Sequence, residues 1–311
     1  MTAAPPLLVI AGATATGKTA LAIEVAEALR AGGRVAEIVS ADSRQVFRGL
    51  DIGTAKATVA ERARVPHHGL DLVEPDEPFS VADFARHAAG VLDGLASRGG
   101  VAILAGGTGF YLRAVARGLD TDALPSDPEV RARLEAAMAH DGLLASVLRL
   151  EALAPELAAT VDLRNPRRVV RALEIAELRG DAPRPPARGY PGKAAWIGLR
   201  LEPDVHRGRI AGRARAQFDA GLLEEARALH ERFDPALPAF SAIGYREAWS
   251  VLDGTSPLED AIEEDVRRNV AFAKRQATWF RSEPDVEWLD AAAGPDARSV
   301  LRSSAVAAAL G

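Results

Sequence analysis

The chain has 311 residues, of which 48% are hydrophobic and 26% charged, as in an ordinary soluble globular protein with a large core and room for two lobes. It has no cysteine, which excludes disulfides, thiolate nucleophiles and cysteine-based zinc sites and fits a reducing cytosol. The formal net charge of −5 does not indicate a general nucleic-acid binder, so RNA binding would need basic residues clustered on one face. No apolar run approaches the roughly 18 residues of a membrane span, and the start MTAAPP lacks the regions of a signal peptide, so we expect a cytoplasmic protein.

The first predicted element is a buried strand over residues 7–10 that leads into a glycine loop. The loop, GATATGKT, fits the pattern G-x-x-x-x-G-K-[ST], and an amphipathic helix follows it up to Gly32-Gly33. Glycines let backbone N–H groups turn toward an anion, and the helix N-terminus adds positive potential. Lys18 supplies a mobile charge for outer phosphate oxygens, and the Thr19 hydroxyl suits a Mg²⁺ ligand. The predicted phosphate-binding loop comprises Gly12, Ala13, Thr14, Ala15, Thr16, Gly17, Lys18 and Thr19. The alternative interpretation is a glycine-rich turn that binds nothing.

A second buried strand over residues 34–42 ends in Asp42. Because the carboxyl ends of parallel strands share one sheet edge, we expect Asp42 to lie close to the phosphate loop. Two polar segments follow, at 43–48 and 51–56. The adjacent His67 and His68 do not share a face on a strand or a helix, so a structural or substrate-loop role is favoured over a metal site.

A third strand is predicted over residues 101–105, after a helix that Ser80 caps and that runs to about residue 98. Many phosphate-loop NTPases place a metal-binding aspartate after such a strand, but here Gly106-Gly107-Thr108 follows, which weakens an ATPase interpretation. The Thr108 hydroxyl could bond a phosphate or a reacting group. The alternative is a local Ser/Thr turn that closes the loop.

From Ser126 the pattern becomes helical up to Gly180, beginning with a capping box that ends at Glu129. Three arginines surround one helix start in this part, and because they oppose the helix dipole there, they indicate an anion nearby. The alternative is a solvated face with Glu174 and Glu177 as partners. The three arginines are Arg167, Arg168 and Arg171. Residues 181–193, rich in proline and glycine, then form a linker.

In the last third of the sequence, the apolar pattern predicts a strand over 196–202 and a long helix over about 204–231. A glycine-interrupted segment then precedes a helix that bears Trp249, and a strong helix follows over about 258–281. Arg209 and Arg213 lie one turn apart off the apolar stripe of the long helix, where they repel each other unless an anion lies between them. The final helix is basic toward its end, which also suits its dipole. The segment from residue 291 is expected to be peripheral.

Several motifs now follow one another in a specific order. They are GATATGKT at 12–19, ADSRQVF at 41–47, DIGTAK at 51–56, PHHGLD at 66–71, ADF at 82–84, GGTGFY at 106–111, NPRRVVRALEI at 165–175, IGYREAW at 243–249 and KRQATWFR at 274–281. Together they resemble the bacterial tRNA dimethylallyltransferases, also called isopentenyl-tRNA transferases. The resemblance runs from about residue 7 to about residue 290.

This resemblance implies transfer of a dimethylallyl group from dimethylallyl diphosphate to N6 of adenosine 37, in tRNAs that read codons beginning with U, giving N6-(dimethylallyl)adenosine and diphosphate. In that family the phosphate loop holds the prenyl donor rather than ATP, and the flipped base enters a channel from the other side. Asp42 then corresponds to the general base, and Lys18, Thr108 and Arg213 stabilise the leaving diphosphate with Mg²⁺ on Thr19. The tRNA-contacting stretches correspond to Asp42, Ser43, Arg44, Gln45, Arg167, Arg168, Arg171, Gly244, Tyr245, Arg246, Lys274, Arg275 and Arg281.

The departures from the family pattern are small: Ala13 stands where proline is common, Thr16 where serine is common, and Phe47 where tyrosine is common. We therefore expect an α/β phosphate-loop core over 1–120 and 194–290, a helical tRNA-binding insertion over 121–193, a peripheral tail over 291–311, and a monomer that binds the tRNA anticodon stem-loop. Two alternatives remain, a small-molecule kinase that would depend on ATP and a non-catalytic RNA-binding module. A Lys18→Ala variant that binds RNA normally, with no turnover to lose, would favour the binding module.

Overall fold

The computed structural model describes residues 4–121, 125–181, 186–294 and 296–311. The chain forms two compact units, one comprising residues 1–118 with 189–311 and the other residues 119–188. Within the described ranges, no helix is long and apolar enough to cross a membrane.

The first unit is built on a six-stranded parallel sheet, which confirms the predicted α/β phosphate-loop fold. The strands are β1 (Leu7–Gly12), β2 (Ala36–Ser40), β3 (His67–His68), β4 (Val101–Gly106), β5 (Ala194–Arg200) and β6 (Val286–Asp290). Their spatial order is β3-β2-β4-β1-β5-β6. The central strands β1, β2 and β4 are buried throughout and read as continuous apolar runs, as expected when both faces of a parallel sheet are covered. Their carboxyl ends therefore bring the phosphate loop, Asp42 and Gly106 to one edge.

Helices cover the sheet and make up the second unit. They are α1 (Lys18–Ala31), α2 (Val59–Arg64), α3 (Val81–Ala96), α4 (Gly109–Ala116), α5 (Pro128–Leu153), α6 (Pro155–Ala158), α7 (Pro166–Arg179), α8 (Pro203–Asp219), α9 (Leu222–His230), α10 (Tyr245–Leu252), α11 (Leu258–Arg281), α12 (Ala297–Leu301) and α13 (Ser304–Leu310). Helices α5, α6 and α7 belong to the second unit, where their apolar faces enclose a small core of their own.

Local capping explains where two of these helices begin. The predicted cap of α3 is confirmed: the Ser80 hydroxyl accepts from the Asp83 N–H, and the Asp83 carboxylate accepts from the Ser80 N–H. The box predicted from Ser126 is wrong, because Asp127 caps α5 and accepts from the N–H groups of the next turn. The Ser126 hydroxyl instead donates to the carboxylate of Glu174, which is buried in the second unit.

Two further expectations need correction. The long helix expected over 204–231 is two helices, because Gly221 takes a left-handed φ of 105° that interrupts the helix just before α9 begins. The tail is not peripheral, because Val300 on α12 and Val306 on α13 are fully buried in the core that covers one face of the sheet. The short edge strands β3 and β6 were not predicted as strands.

Candidate functional site

The phosphate loop leaves β1 in a conformation that needs its glycines. A Cβ on Gly12 would lie 2.8 Å from the Leu199 carbonyl oxygen, so no larger residue fits there. Gly17 has a φ of 91° and starts α1, and Ala15 has a φ of 60°, a conformation that costs a non-glycine residue about 1 kcal/mol or more. The buried Thr16 hydroxyl closes the loop by donating to the Ala13 carbonyl at 2.9 Å. Contacts within the chain therefore determine the shape of the loop.

Thr14, in the middle of this loop, is bonded through all of its polar groups. Its N–H donates to Gln276 Oε1 at 2.8 Å, and its hydroxyl accepts from Arg213 Nη1 at 2.6 Å. Its carbonyl oxygen lies 2.7 Å from His206 Nε2. These bonds tie the loop to helices α8 and α11, which lie far from it in the sequence.

Lys18 brings a desolvated amine to the phosphate loop. Its Nζ donates to the Ala13 carbonyl at 2.7 Å. Burial lowers the pKa of Lys18 to about 8, the nearby Asp42 carboxylate opposes that shift, and the Arg213 guanidinium adds to it. A cation held in this way is stabilised by an incoming anion, which is the property a diphosphate site requires.

Asp42 lies two residues beyond the end of β2, on the sheet edge expected for it, and is half-buried. One of its carboxylate oxygens accepts from the Arg44 N–H at 2.8 Å, which fixes the side chain against its own loop. The Thr108 hydroxyl lies beside this loop and accepts from the Ser43 N–H at 3.0 Å. Thr108 therefore joins the loops after β2 and β4 rather than closing a local Ser/Thr turn.

The glycines after β4 allow these loops to approach one another. A Cβ on Gly106 would lie 2.1 Å from the Ala41 carbonyl oxygen, and one on Gly107 would lie 2.4 Å from Gln276 Nε2. Glycine at 106 is thus a packing requirement of the site, because backbone atoms block a larger residue, whereas a Cβ at 107 would displace the amide of the Gln276 side chain.

Arg213 is held in place from two sides. Its Nη1 donates to the Thr14 hydroxyl, and its Nη2 donates to Asn269 Oδ1 at 3.1 Å. Among the described residues, its buried Nε has no partner. Asn269 in turn donates to Asp265 Oδ1 at 2.7 Å, and burial raises the pKa of Asp265 to about 6. Burial also lowers the pKa of Arg213 from its usual value, partly offset by Asp265 and Asp42. The site therefore contains a preorganised cation next to the phosphate loop.

Two cavities meet at these residues. One cavity, of about 310 Å³, is bordered by the phosphate loop, including Lys18 and Thr19, and by Gly106 and Gly107. A second cavity, of about 490 Å³, lies on the other side and is bordered by basic side chains of α11 and by the 241–243 segment. We call them the donor cavity and the acceptor cavity, after the roles that the resemblance implies. The residues that border both cavities are Thr14, Asp42, Thr54, Arg213 and Phe272. We call this shared border the waist between the two cavities. It carries the Asp42 carboxylate and the Arg213 guanidinium.

Three residues expected to contact RNA also have structural roles, and one of them is completely buried. Gln45 accepts from the Ser40 hydroxyl and donates to the carbonyls of Thr54 and Ala55, so it ties the 51–56 segment to β2. Tyr245 is completely buried, with its hydroxyl 2.7 Å from Glu225 Oε1. Gly244 is buried too, with a φ of 112°, at the start of α10. The side chain of Tyr245 therefore belongs to the core and not to an RNA-binding surface.

The predicted basic residues divide into exposed and engaged groups. Arg246, Lys274, Arg275 and Arg281 are exposed on the first unit, and Arg167 and Arg168 are exposed on the second. Arg44 donates to the Pro238 carbonyl at 2.9 Å, next to the acceptor cavity. Arg171 donates to Glu174 at 2.7 Å, the partner that the alternative interpretation named, but Glu174 is buried rather than solvated. The other partner named there, Glu177, pairs with Arg133 and Arg149.

The rings of the adjacent His67 and His68 each contact a different partner within the fold. His68 Nε2 lies 2.7 Å from Glu37 Oε2, and His67 Nδ1 lies 2.8 Å from the Val65 carbonyl. In the part of the chain that the structure describes, no cluster of three or more His, Asp or Glu side chains could hold a metal ion.

Sequence reasoning missed three residues that shape the site. Gln276 and Asn269 hold Thr14 and Arg213 from α11, and Glu225 accepts the N–H groups of Asp51, Ile52 and Gly53. One signal in the sequence could have found Asn269 and Gln276. They lie seven residues apart, which is two turns of a helix, so both polar side chains fall on the same face of α11 as its buried residues.

Comparison with known proteins identifies the family of this chain. Residues 45–283 match the family described as IPP transferase. The tRNA dimethylallyltransferase of Anaeromyxobacter dehalogenans is 47% identical over 301 residues, which cover 94% of this chain and 97% of that protein. The tRNA isopentenylpyrophosphate transferase of Bacillus halodurans superposes with a TM-score of 0.66 at 39% identity, covering 92% of this chain and 89% of the other. A eukaryotic dimethylallyltransferase acting on tRNA shares the fold, with a TM-score of 0.75 at 24% identity over 98% of this chain and 77% of the other. The match covers well over half of the chain, which therefore belongs to the IPP transferase family.

Proposed function

We propose that the protein transfers a dimethylallyl group from dimethylallyl diphosphate to N6 of adenosine 37 in tRNA. One observation carries this proposal: Asp42 and Arg213 lie together at the waist between the donor and acceptor cavities, with Lys18 on the donor side. A group transfer between two large reactants requires such a two-sided site. The names of the relatives supply the tRNA and the dimethylallyl donor.

On the donor side, the diphosphate occupies the phosphate loop at the start of α1. Lys18 and Arg213 face the charge that develops as the C–O bond breaks, and removal of one such preorganised donor typically costs about 10²–10³-fold in rate. The Thr19 hydroxyl is exposed and borders this cavity, so it fits a Mg²⁺ ion, which takes a few protein oxygens and completes its shell with phosphate and water. When bound, Mg²⁺ supplies charge neutralisation on the diphosphate.

On the acceptor side, the adenine enters the cavity beside Phe272 with N6 toward Asp42. The N6–C bond forms as the C–O bond to diphosphate breaks, the electron pair of that bond leaves with the diphosphate, and Asp42 takes the N6 proton. A general base of this kind contributes about 10²–10⁴-fold. Extrusion of a loop base that is not paired costs a few kcal/mol or less.

The RNA itself is held by local positive surfaces, which lets a protein of net charge −5 bind a polyanion. Arg44, Arg268 and Arg275 border the acceptor cavity. The exposed Arg167 and Arg168 of the second unit supply a further basic surface for the anticodon stem-loop. The tRNA substrate places the reaction in the cytoplasm, and since both cavities lie within one unit of one chain, we propose that a monomer is active.

The small-molecule kinase is the competing function. Against it, β4 ends in Gly106-Gly107-Thr108, with no carboxylate at the position that holds the metal in many phosphate-loop enzymes. The acceptor cavity is also bordered by three arginines and an aromatic ring of α11, namely Arg267, Arg268, Arg275 and Phe272, which suit an RNA better than a small alcohol.

A transfer assay tests the proposal. The protein is mixed with Mg²⁺, radiolabelled dimethylallyl diphosphate and an anticodon stem-loop with adenosines at positions 36, 37 and 38, without ATP. Label in the RNA, lost when position 37 is changed to guanosine, supports the proposal. No label, with ATP consumed against a pool of small molecules, would favour the kinase.

A further inference from the structure

Gln276 joins two loops of the site through one side chain. It lies on α11 with only 8% of its surface exposed. Its Oε1 accepts from the Thr14 N–H at 2.8 Å, and its Nε2 donates to the Gly107 carbonyl at 2.9 Å. The amide therefore spans from the phosphate loop after β1 to the loop after β4.

The bond to Thr14 holds a strained part of the phosphate loop. The next residue, Ala15, is in the left-handed region at a φ of 60°. Such a conformation persists only where the surrounding structure fixes it, and the bonds from Gln276, Arg213 and His206 to Thr14 do so. Because the Thr14 N–H is engaged by Gln276, it helps to shape the loop rather than to hold the donor.

The bond to Gly107 fixes the opposite wall. A Cβ at position 107 would lie 2.4 Å from Gln276 Nε2, so the glycine there makes room for the amide. The following residue, Thr108, accepts from the Ser43 N–H, next to Asp42. One side chain thus sets the spacing between the wall that carries Lys18 and the wall next to the general base.

We propose that Gln276 is a positioning residue for the diphosphate of the donor. It acts through Thr14 and Gly107, since both ends of its amide bond to their backbone, and it keeps Lys18 and Arg213 directed at one leaving oxygen. The inference rests on the proposed prenyl transfer.

The test measures transfer at saturating stem-loop with varied dimethylallyl diphosphate. Gln276→Met keeps the volume but removes both bonds, and we expect kcat/KM for the donor to fall about tenfold, the size expected when buried backbone groups lose a hydrogen-bond partner. The Kd for the stem-loop should stay unchanged. An unchanged kcat/KM for the donor would overturn the proposal.

Gln276→Glu gives a readout that a merely structural role would not produce. The carboxylate still accepts from Thr14 but cannot donate to Gly107. As the pH falls, protonation restores that donor, so the ratio of Q276E to wild-type kcat/KM should rise, while the ratio for Q276M stays flat. A pH-independent Q276E ratio would contradict the inference, and the isosteric variant remains informative if Q276M folds poorly.

Gln217→Met is the matched control. Gln217 is 9% exposed and donates to the Ile52 carbonyl, so its loss disturbs a comparably buried bond away from Thr14 and Gly107. The donor kcat/KM should fall further in Q276M than in Q217M, and equal losses would show a general packing effect that overturns the proposal. A wild-type protein that transfers no label would instead refute the proposed function.

Discussion

Replacement of Lys18 by methionine should stabilise the free protein while abolishing its proposed activity. Burial lowers the pKa of Lys18 from 10.5 to about 8. Since one pKa unit corresponds to about 1.4 kcal/mol, the buried charge destabilises the folded state by up to about 3 kcal/mol at pH 7. The side chain borders an open cavity, so solvent reduces the net effect to about 1–2 kcal/mol. Its partner, the Ala13 carbonyl, keeps the bond from Thr16, so Lys18→Met leaves no orphaned acceptor.

The sign of the pH dependence follows from the lowered pKa. Below pH 8 the amine is charged in both states, and the full destabilisation is present. Between about pH 8 and 10.5 the folded state loses its proton before the unfolded state, so the wild type gains stability as the pH rises and the difference from K18M closes.

Urea unfolding, followed by the fluorescence of the four tryptophans, measures this difference at pH 7 and pH 10. Lys193→Met, at an exposed lysine, is the control and should change the free energy of unfolding by less than about 0.5 kcal/mol. Dimethylallyl diphosphate with Mg²⁺ should raise the Tm of the wild type but not of K18M. A K18M variant that is less stable than the wild type at pH 7, or a stability difference that persists unchanged at pH 10, would contradict a destabilising charge on Lys18.

Three further predictions concern the surroundings of the site. Asn269→Ala removes a hydrogen-bond partner from Arg213 and should lower kcat/KM for the donor about tenfold. An unchanged kcat/KM would show that Asn269 does not help to position Arg213. Asp265 has a raised folded-state pKa of about 6, so its stability contribution is full below pH 3.8 and is lost as the pH rises through 6. Relative to Asp265→Asn, the wild type should lose about 2–3 kcal/mol of unfolding free energy between pH 4 and pH 7, and parallel pH profiles of the two proteins would contradict this. Arg167→Ala should raise the stem-loop Kd and reduce the slope of its logarithm against the logarithm of salt concentration by about one, while Arg149→Ala, whose arginine pairs with Glu177, should not. Equal effects of the two changes would show that Arg167 lies on a solvated surface and does not contact the RNA.

The parts of the site that could be predicted are those whose signals are local in the sequence. The phosphate loop is bounded by a strand and a helix that the pattern identifies, and Asp42 ends a run of buried residues. The Ser80 cap is likewise a four-residue pattern. In each case neighbouring residues determine the conformation, so the sequence sufficed.

What the sequence did not predict depends on distant contacts. Gln276 meets Thr14 across 262 positions, and no local rule connects a polar residue on a helix with a loop so far away. Tyr245 looked like a surface residue within a glycine-interrupted segment, but its ring packs against Gly53 and its hydroxyl finds Glu225. The two-residue strand β3 is too short to show a periodicity.

The most direct test of the central claim is single-turnover transfer by Asp42→Asn with both substrates saturating. D42N should bind the stem-loop and dimethylallyl diphosphate with nearly unchanged Kd values but transfer label about 10²–10⁴-fold more slowly than the wild type. Asp42→Glu should retain more activity than D42N, since it keeps a carboxylate at the waist between the cavities. Transfer by D42N at the wild-type rate would contradict the assignment of Asp42 as the base and, with it, the reading of the two cavities as donor and acceptor sites.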